Sequence, residues 1–108
     1  MHYIGSDLHK KTITMHVVNQ ARQKMASRQF SCSDSKGMLE WLMQFRPFQL
    51  VVEATASYEW FMQLVEPLAD RVILANPSKL RVIAESTRKS DKLDARVLAE
   101  FLAMHMIP

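Results

Sequence analysis

Thr12-Ile13-Thr14-Met15-His16-Val17-Val18 alternates polar and apolar side chains with a period of two as far as Val17. That is the pattern of a β-strand with one wet face and one buried face. Working outward, residues 3–8 are short and rich in strand formers, and Lys10-Lys11 makes a polar break between the two strands. On the other side, Asn19-Gln20-Ala21-Arg22 reads as a turn, and residues 24–32 read as a third, more polar strand suited to a sheet edge. Two tight connections in succession predict an antiparallel meander.

The period changes after Cys32. Met38, Leu39, Trp41, Leu42 and Phe45 recur at helical spacing, with Ser33, Asp34 and Ser35 as candidate caps and Arg46-Pro47 as the stop. Phe48 to Glu53 reads as a buried strand centred on Leu50-Val51-Val52. A second helix carries the stripe Phe61, Met62, Leu64, Val65 and Leu68, with Thr55 or Ser57 as its cap. Residues 71–75 form a fifth strand, and Asn76-Pro77 is a helix-start signal leading a short helix to residue 83. Residues 85–89 read as a loop, and a last helix is expected over residues 90–104. Three strands followed by βα units predict an α/β fold with a mixed five-stranded sheet and helices on its faces. Right-handed crossovers leave few topologies, among them the RNase H arrangement, in which the first strand is central and neighbours the fourth.

The bulk properties agree with one globular domain. The chain has 108 residues, 48% hydrophobic and 23% charged, with two glycines and four prolines. One cysteine, Cys32, excludes an internal disulfide framework and a cysteine zinc site. No apolar run approaches the roughly 20 residues of a membrane span, and Asp7 interrupts any signal-peptide core, so a cytoplasmic location and no membrane partner are expected. The net charge of +3 is unevenly spread. Residues 1–33 hold five basic groups and one acid, residues 34–70 two and six, and residues 71–108 seven and four. Basic ends fit a polyanion, although +3 alone is better explained by an ordinary solvated surface.

Four carboxylates carry the chemistry. Asp7 interrupts a strand, where aspartate is disfavoured; opening the turn at His9-Lys10 is its structural alternative. Glu53 follows Leu50-Val51-Val52 at the carboxyl end of a strand, where open α/β sheets place their ligands. A rim charge or helix cap is the alternative there. Asp91 and Asp94, three apart, share one face of the predicted last helix. At roughly 100° per residue Leu98 falls between them in projection, so both acids are expected on the sheet-facing stripe. Favourable charge in a first helical turn is the competing account, better for Asp91 than for Asp94. If the four meet at the strand ends they would repel, and a divalent cation is their natural partner. Hard ions of the magnesium kind take such oxygen ligands. Lys10, Lys11, Arg88, Lys89 and Lys92 lie near these acids in sequence and are candidate phosphate ligands.

The run Tyr3-Ile4-Gly5-Ser6-Asp7-Leu8-His9-Lys10, then Glu53-Ala54-Thr55, Asn76-Pro77 and Lys89-Ser90-Asp91-Lys92-Leu93-Asp94-Ala95, resembles the N-terminal domain of the DEDD transposases. These are bridge-RNA-guided insertion-sequence recombinases related to the pilin gene inverting protein. The resemblance covers nearly the whole chain, and the last motif is the most specific. It implies a RuvC-like variant of the RNase H fold, with Asp7, Glu53, Asp91 and Asp94 as a catalytic tetrad binding divalent metal, usually magnesium, with manganese an alternative. It implies DNA as substrate, a guide RNA and a homo-oligomer for the full-length protein, and a further C-terminal domain that supplies a nucleophilic serine. No serine of these 108 residues is therefore expected to act as nucleophile. One departure stands at Ala56, where the family usually carries glycine.

Other residues read as structural. His9 is expected to meet solvent or phosphate, His16 to be a structural strand histidine, and Trp60 to serve an interface. Cys32 has no activating neighbour in sequence. Two other functions stay open: a stand-alone metal-dependent junction resolvase or nuclease, and a non-catalytic RNase H-like module that only binds nucleic acid or protein. An actin-like nucleotide-binding domain would need a glycine-rich phosphate loop, which two glycines do not provide.

Overall fold

The computed structural model describes residues 1–54, 57–76, 78–79 and 94–107. Its elements follow the order β1 (His2–Leu8), β2 (Thr12–Val18), β3 (Lys24–Ser31), α1 (Ser35–Met43), β4 (Phe48–Glu53), α2 (Glu59–Val65), β5 (Arg71–Ala75) and α3 (Ala95–Ala103). Local chemistry explains the connections. The His9 N–H donates to the Thr12 carbonyl at 2.8 Å, closing the first hairpin around Lys10 and Lys11. Asn19 Oδ1 accepts from the N–H groups of Ala21 and Gln23, both at 3.0 Å, so this side chain builds the second turn. Asp34 caps α1 by accepting the Gly37 N–H at 3.0 Å.

The five strands form one sheet in the order β3-β2-β1-β4-β5. β1 pairs antiparallel with β2, and β2 with β3; β1 pairs parallel with β4, and β4 with β5. The first strand is central and neighbours the fourth, the RNase H arrangement anticipated from element order. Alternation along each strand divides the interior in two. Ile4, Ile13, Met15, Val17, Leu50 and Val52 pack with Met38, Trp41 and Leu42 of α1 and Phe61 and Val65 of α2. Tyr3, Val18, Val51 and Ala75 pack on the other face with Val97, Leu98, Ala99, Phe101 and Leu102 of α3. Trp60, expected at an interface, packs against the first cluster with its ring 5.8 Å from that of Phe61.

Gly5 sets how closely α3 lies on the sheet. A Cβ there would stand 2.1 Å from the Ala95 carbonyl oxygen and 2.4 Å from the Ala99 nitrogen, both backbone atoms. The missing side chain lets the first turns of α3 rest directly on β1, which brings residues 94–96 beside the end of that strand.

Three expectations need correction or restriction. The N-cap of α2 is Tyr58, with no side-chain cap bond, rather than Ser57; Thr55 and Ala56 lie outside the described residues. Asn76 does act as a cap, its Oδ1 accepting from Ser78 and Lys79 N–H at 2.9 and 3.2 Å, but most of the helix expected after it lies outside the described residues. α3 begins at Ala95, so Asp94 is its N-cap rather than an interior member of a longer helix. The backbone at Asp94 is extended, and its Oδ1 accepts the Val97 N–H at 3.0 Å. Asp94 would fall on the apolar stripe only with helical dihedrals, which it does not have. A short carboxylate before the apolar run is better used satisfying an orphan N–H.

Candidate functional site at the end of the central strands

β1 and β4 run parallel with Ser6 opposite Val52. Asp7 and Glu53 each follow by one residue, so both sit at the carboxyl ends of adjacent strands and on the face that α3 covers. Asp7 is one-fifth exposed and accepts a hydrogen bond from His9 Nε2 at 3.1 Å. Glu53 is half-buried, and its Oε1 is shielded from solvent. Asp94 approaches the same face from the start of α3.

Asp7 and Asp94 open onto one cleft of about 330 Å³. Its floor is the sheet, through Thr14 and His16 of β2 and Ser27 and Gln29 of β3; His9 closes one end, and Ala95 and Arg96 form the helical wall. Glu53 does not line this cleft. Among the described residues, no three of His, Cys, Asp and Glu stand close enough to hold one ion. Asp91 lies outside the described residues, as do Arg88, Lys89 and Lys92. Lys10 and Lys11 are exposed in the hairpin beside Asp7.

Two histidines belong to this site: His9, expected to meet solvent or phosphate, and His16, expected to be structural. His9 lies two residues after Asp7, and a period of two puts both on one face; that signal was available. His16 is 7% exposed and lines the cleft, and no described residue hydrogen-bonds its ring. Its place beside Asp7 depends on the pairing of Gly5 with His16 and Asp7 with Thr14, which is long-range information. Burial holds the His16 imidazole below its ordinary value of 6.5, and Lys24 and Arg96 push the same way against Glu100 and Asp94. Cys32 is a poor nucleophile, since burial raises its thiol pKa.

The His16 shift gives a signed expectation. The unfolded chain takes up a proton at this position near the ordinary value, whereas the folded chain resists it, so the unfolded state binds more protons as pH falls below 6.5. The stability contributed by His16 is full above that value and is lost as pH drops through the lowered folded value. Urea unfolding on either side of 6.5 should show this slope, and His16→Asn should remove its share of it. An identical pH slope in the variant would contradict the assignment.

Among the described residues no helix is long and apolar enough to cross a membrane. No curated protein matches this sequence. A family model described as transposase, of the DEDD type named for IS110, matches residues 4–107, nearly the entire sequence. With a mixed five-stranded sheet of the fold those enzymes require, and that match along its length, the chain belongs to the DEDD transposase family.

Proposed function

We propose that this chain forms the metal-binding, acidic part of a transposase site that cleaves and transfers DNA strands. The observation that carries the proposal is the placement of Asp7 and Glu53 side by side at the carboxyl ends of β1 and β4, on the face where Asp94 arrives. The donor set suits a magnesium-type ion, since all of these ligands offer hard oxygen. Asp7, Glu53, Asp91 and Asp94 would hold it, and a divalent ion in such a site stabilises charge on the attacking and leaving oxygens of a phosphodiester. Capping does not disqualify Asp94, because one carboxylate oxygen accepts the Val97 N–H and the group still faces the cleft. His9 steadies the Asp7 carboxylate through its hydrogen bond, and Lys10 and Lys11 stand where a phosphate backbone would pass. Arg88, Lys89 and Lys92 are assigned the same task from their position in the sequence. A guide RNA, assembly into an oligomer and a serine nucleophile outside these residues rest on family membership.

The test is incubation of a labelled branched duplex with the chain in magnesium or manganese, with Glu53→Gln alongside. The expected result is weak, salt-sensitive binding, no strand cleavage and no covalent adduct, because positioning accelerates a reaction only when both reactants are held together. Robust cleavage abolished by Glu53→Gln would replace this reading with that of a stand-alone nuclease.

A further inference from the structure

Resting on the reading above, we infer that the sheet floor of the cleft is a nucleoside subsite, taking the sugar and base next to the phosphate that the carboxylates address. α3 lies over β1, β2 and β4, and Thr14, His16, Ser27 and Gln29 line the cleft beside it. The opposite side of the same strands is mostly apolar, with Ile13, Met15, Val17 and Phe30 in the core and Arg28 exposed at the edge, its guanidinium over the Phe30 ring. The cluster of uncharged polar groups lies on the side that shares a cavity with Asp7 and Asp94.

Two observations separate this surface from an ordinary solvated sheet face. Ser27 and Gln29 are exposed, but His16 beneath the wall of α3 is more than nine-tenths buried and lines the cleft with no described residue hydrogen-bonded to its ring. The ring nitrogens themselves are not sealed off, so a group entering the cleft can meet them. The cavity also has definite size. At about 330 Å³ it lies at the small end of ligand pockets, which run from roughly 300 to 1,000 Å³, and so suits one nucleotide unit rather than a larger ligand.

The chemistry of the lining selects sugar and base over phosphate. Two hydroxyls, a carboxamide and a neutral imidazole offer donors and acceptors together, as base edges and sugar oxygens require. Arg96 is the one cation among the described lining residues; it shares that lining with two carboxylates and pairs with Glu100 at 3.8 Å, so a bare phosphate finds no net attraction there. The low affinity of His16 for a proton keeps its ring in the form that presents one donor and one acceptor.

The experiment is a nuclear magnetic resonance titration of the chain with a short single-stranded oligodeoxynucleotide, and with an abasic strand of equal length, in magnesium. The base-bearing strand should shift the His16 ring and Gln29 side-chain amide resonances, and the abasic strand should not. Gln29→Ala, an exposed change on an edge strand that the fold will tolerate, should weaken the base-bearing strand about fivefold, the value of one hydrogen bond. Equal shifts from both strands, a bound strand that leaves His16 and Gln29 unmoved, or no binding at all would each overturn the subsite. The magnesium response of Asp7 is read in the same samples. Its absence with the His16 shifts retained would sink the metal reading and leave the subsite standing; a normal magnesium response without His16 shifts would do the reverse.

Discussion

Gly5→Ala is expected to destabilise the chain by about 3 kcal/mol, the upper part of the range for overpacked cores. The added methyl would meet the Ala95 carbonyl oxygen and the Ala99 nitrogen at 2.1 and 2.4 Å, and the Leu98 Cβ at 2.9 Å. Two of these three are backbone atoms of α3, so no rotamer change relieves the contact; the helix must move off β1 as a body. A loss of this size lowers the melting temperature of a domain this small by roughly 10 °C or more. The displacement should also be felt at the site, because Asp94 and Arg96 travel with α3 while Asp7 stays on the sheet. Gly5→Ala should therefore weaken the response to magnesium as well as stability. Urea and thermal unfolding with and without magnesium read both effects. A stability change within about 0.5 kcal/mol, the ordinary range of surface substitutions, would show that α3 does not rest on Gly5 as described.

Asp7→Asn is expected to abolish stabilisation by divalent metal. An ion bound by the folded chain alone, present at about ten times its dissociation constant, adds about 1.4 kcal/mol by mass action. For the parent chain this is a rise of several degrees in melting temperature in millimolar magnesium or manganese. The variant keeps the shape of the side chain but loses the charge at the centre of the acidic group. It should show no rise beyond that caused by matched monovalent salt. Without metal the variant should be at least as stable as the parent, since one member of a mutually repelling set is gone. Equal magnesium responses in the two chains would remove Asp7 from the site, and no response in the parent would show that these residues alone do not make a competent metal centre.

Much of the fold was legible because its signals are local. β2, β4 and β5 appear where period two, or a short apolar run between breakers, had placed them, and Asp34, Asn19 and Asn76 shape the backbone within a few residues of themselves. The errors have a common origin at helix starts. Ser57 and Asp94 were both assigned from residue type and spacing, yet whether such a residue caps a helix or lies inside it depends on its own backbone dihedrals. Neighbouring packing sets those dihedrals, and the sequence does not display them.

The sequence by itself determined the order of strands and helices, the apolar faces that must be buried, and which acidic residues close the strands. Periodicity and breakers act over a few residues, so any fold of this chain must respect them. Only the tertiary structure decided that Asp7 and Asp94 share a cavity, that Glu53 stands just outside its lining, and that His16 is buried in its floor rather than idle in a strand. Those facts depend on the register of β2 against β1 and on the close approach of α3 over Gly5. Both bring together residues far apart in the chain, and the free energy that selects them belongs to packing across the whole sheet.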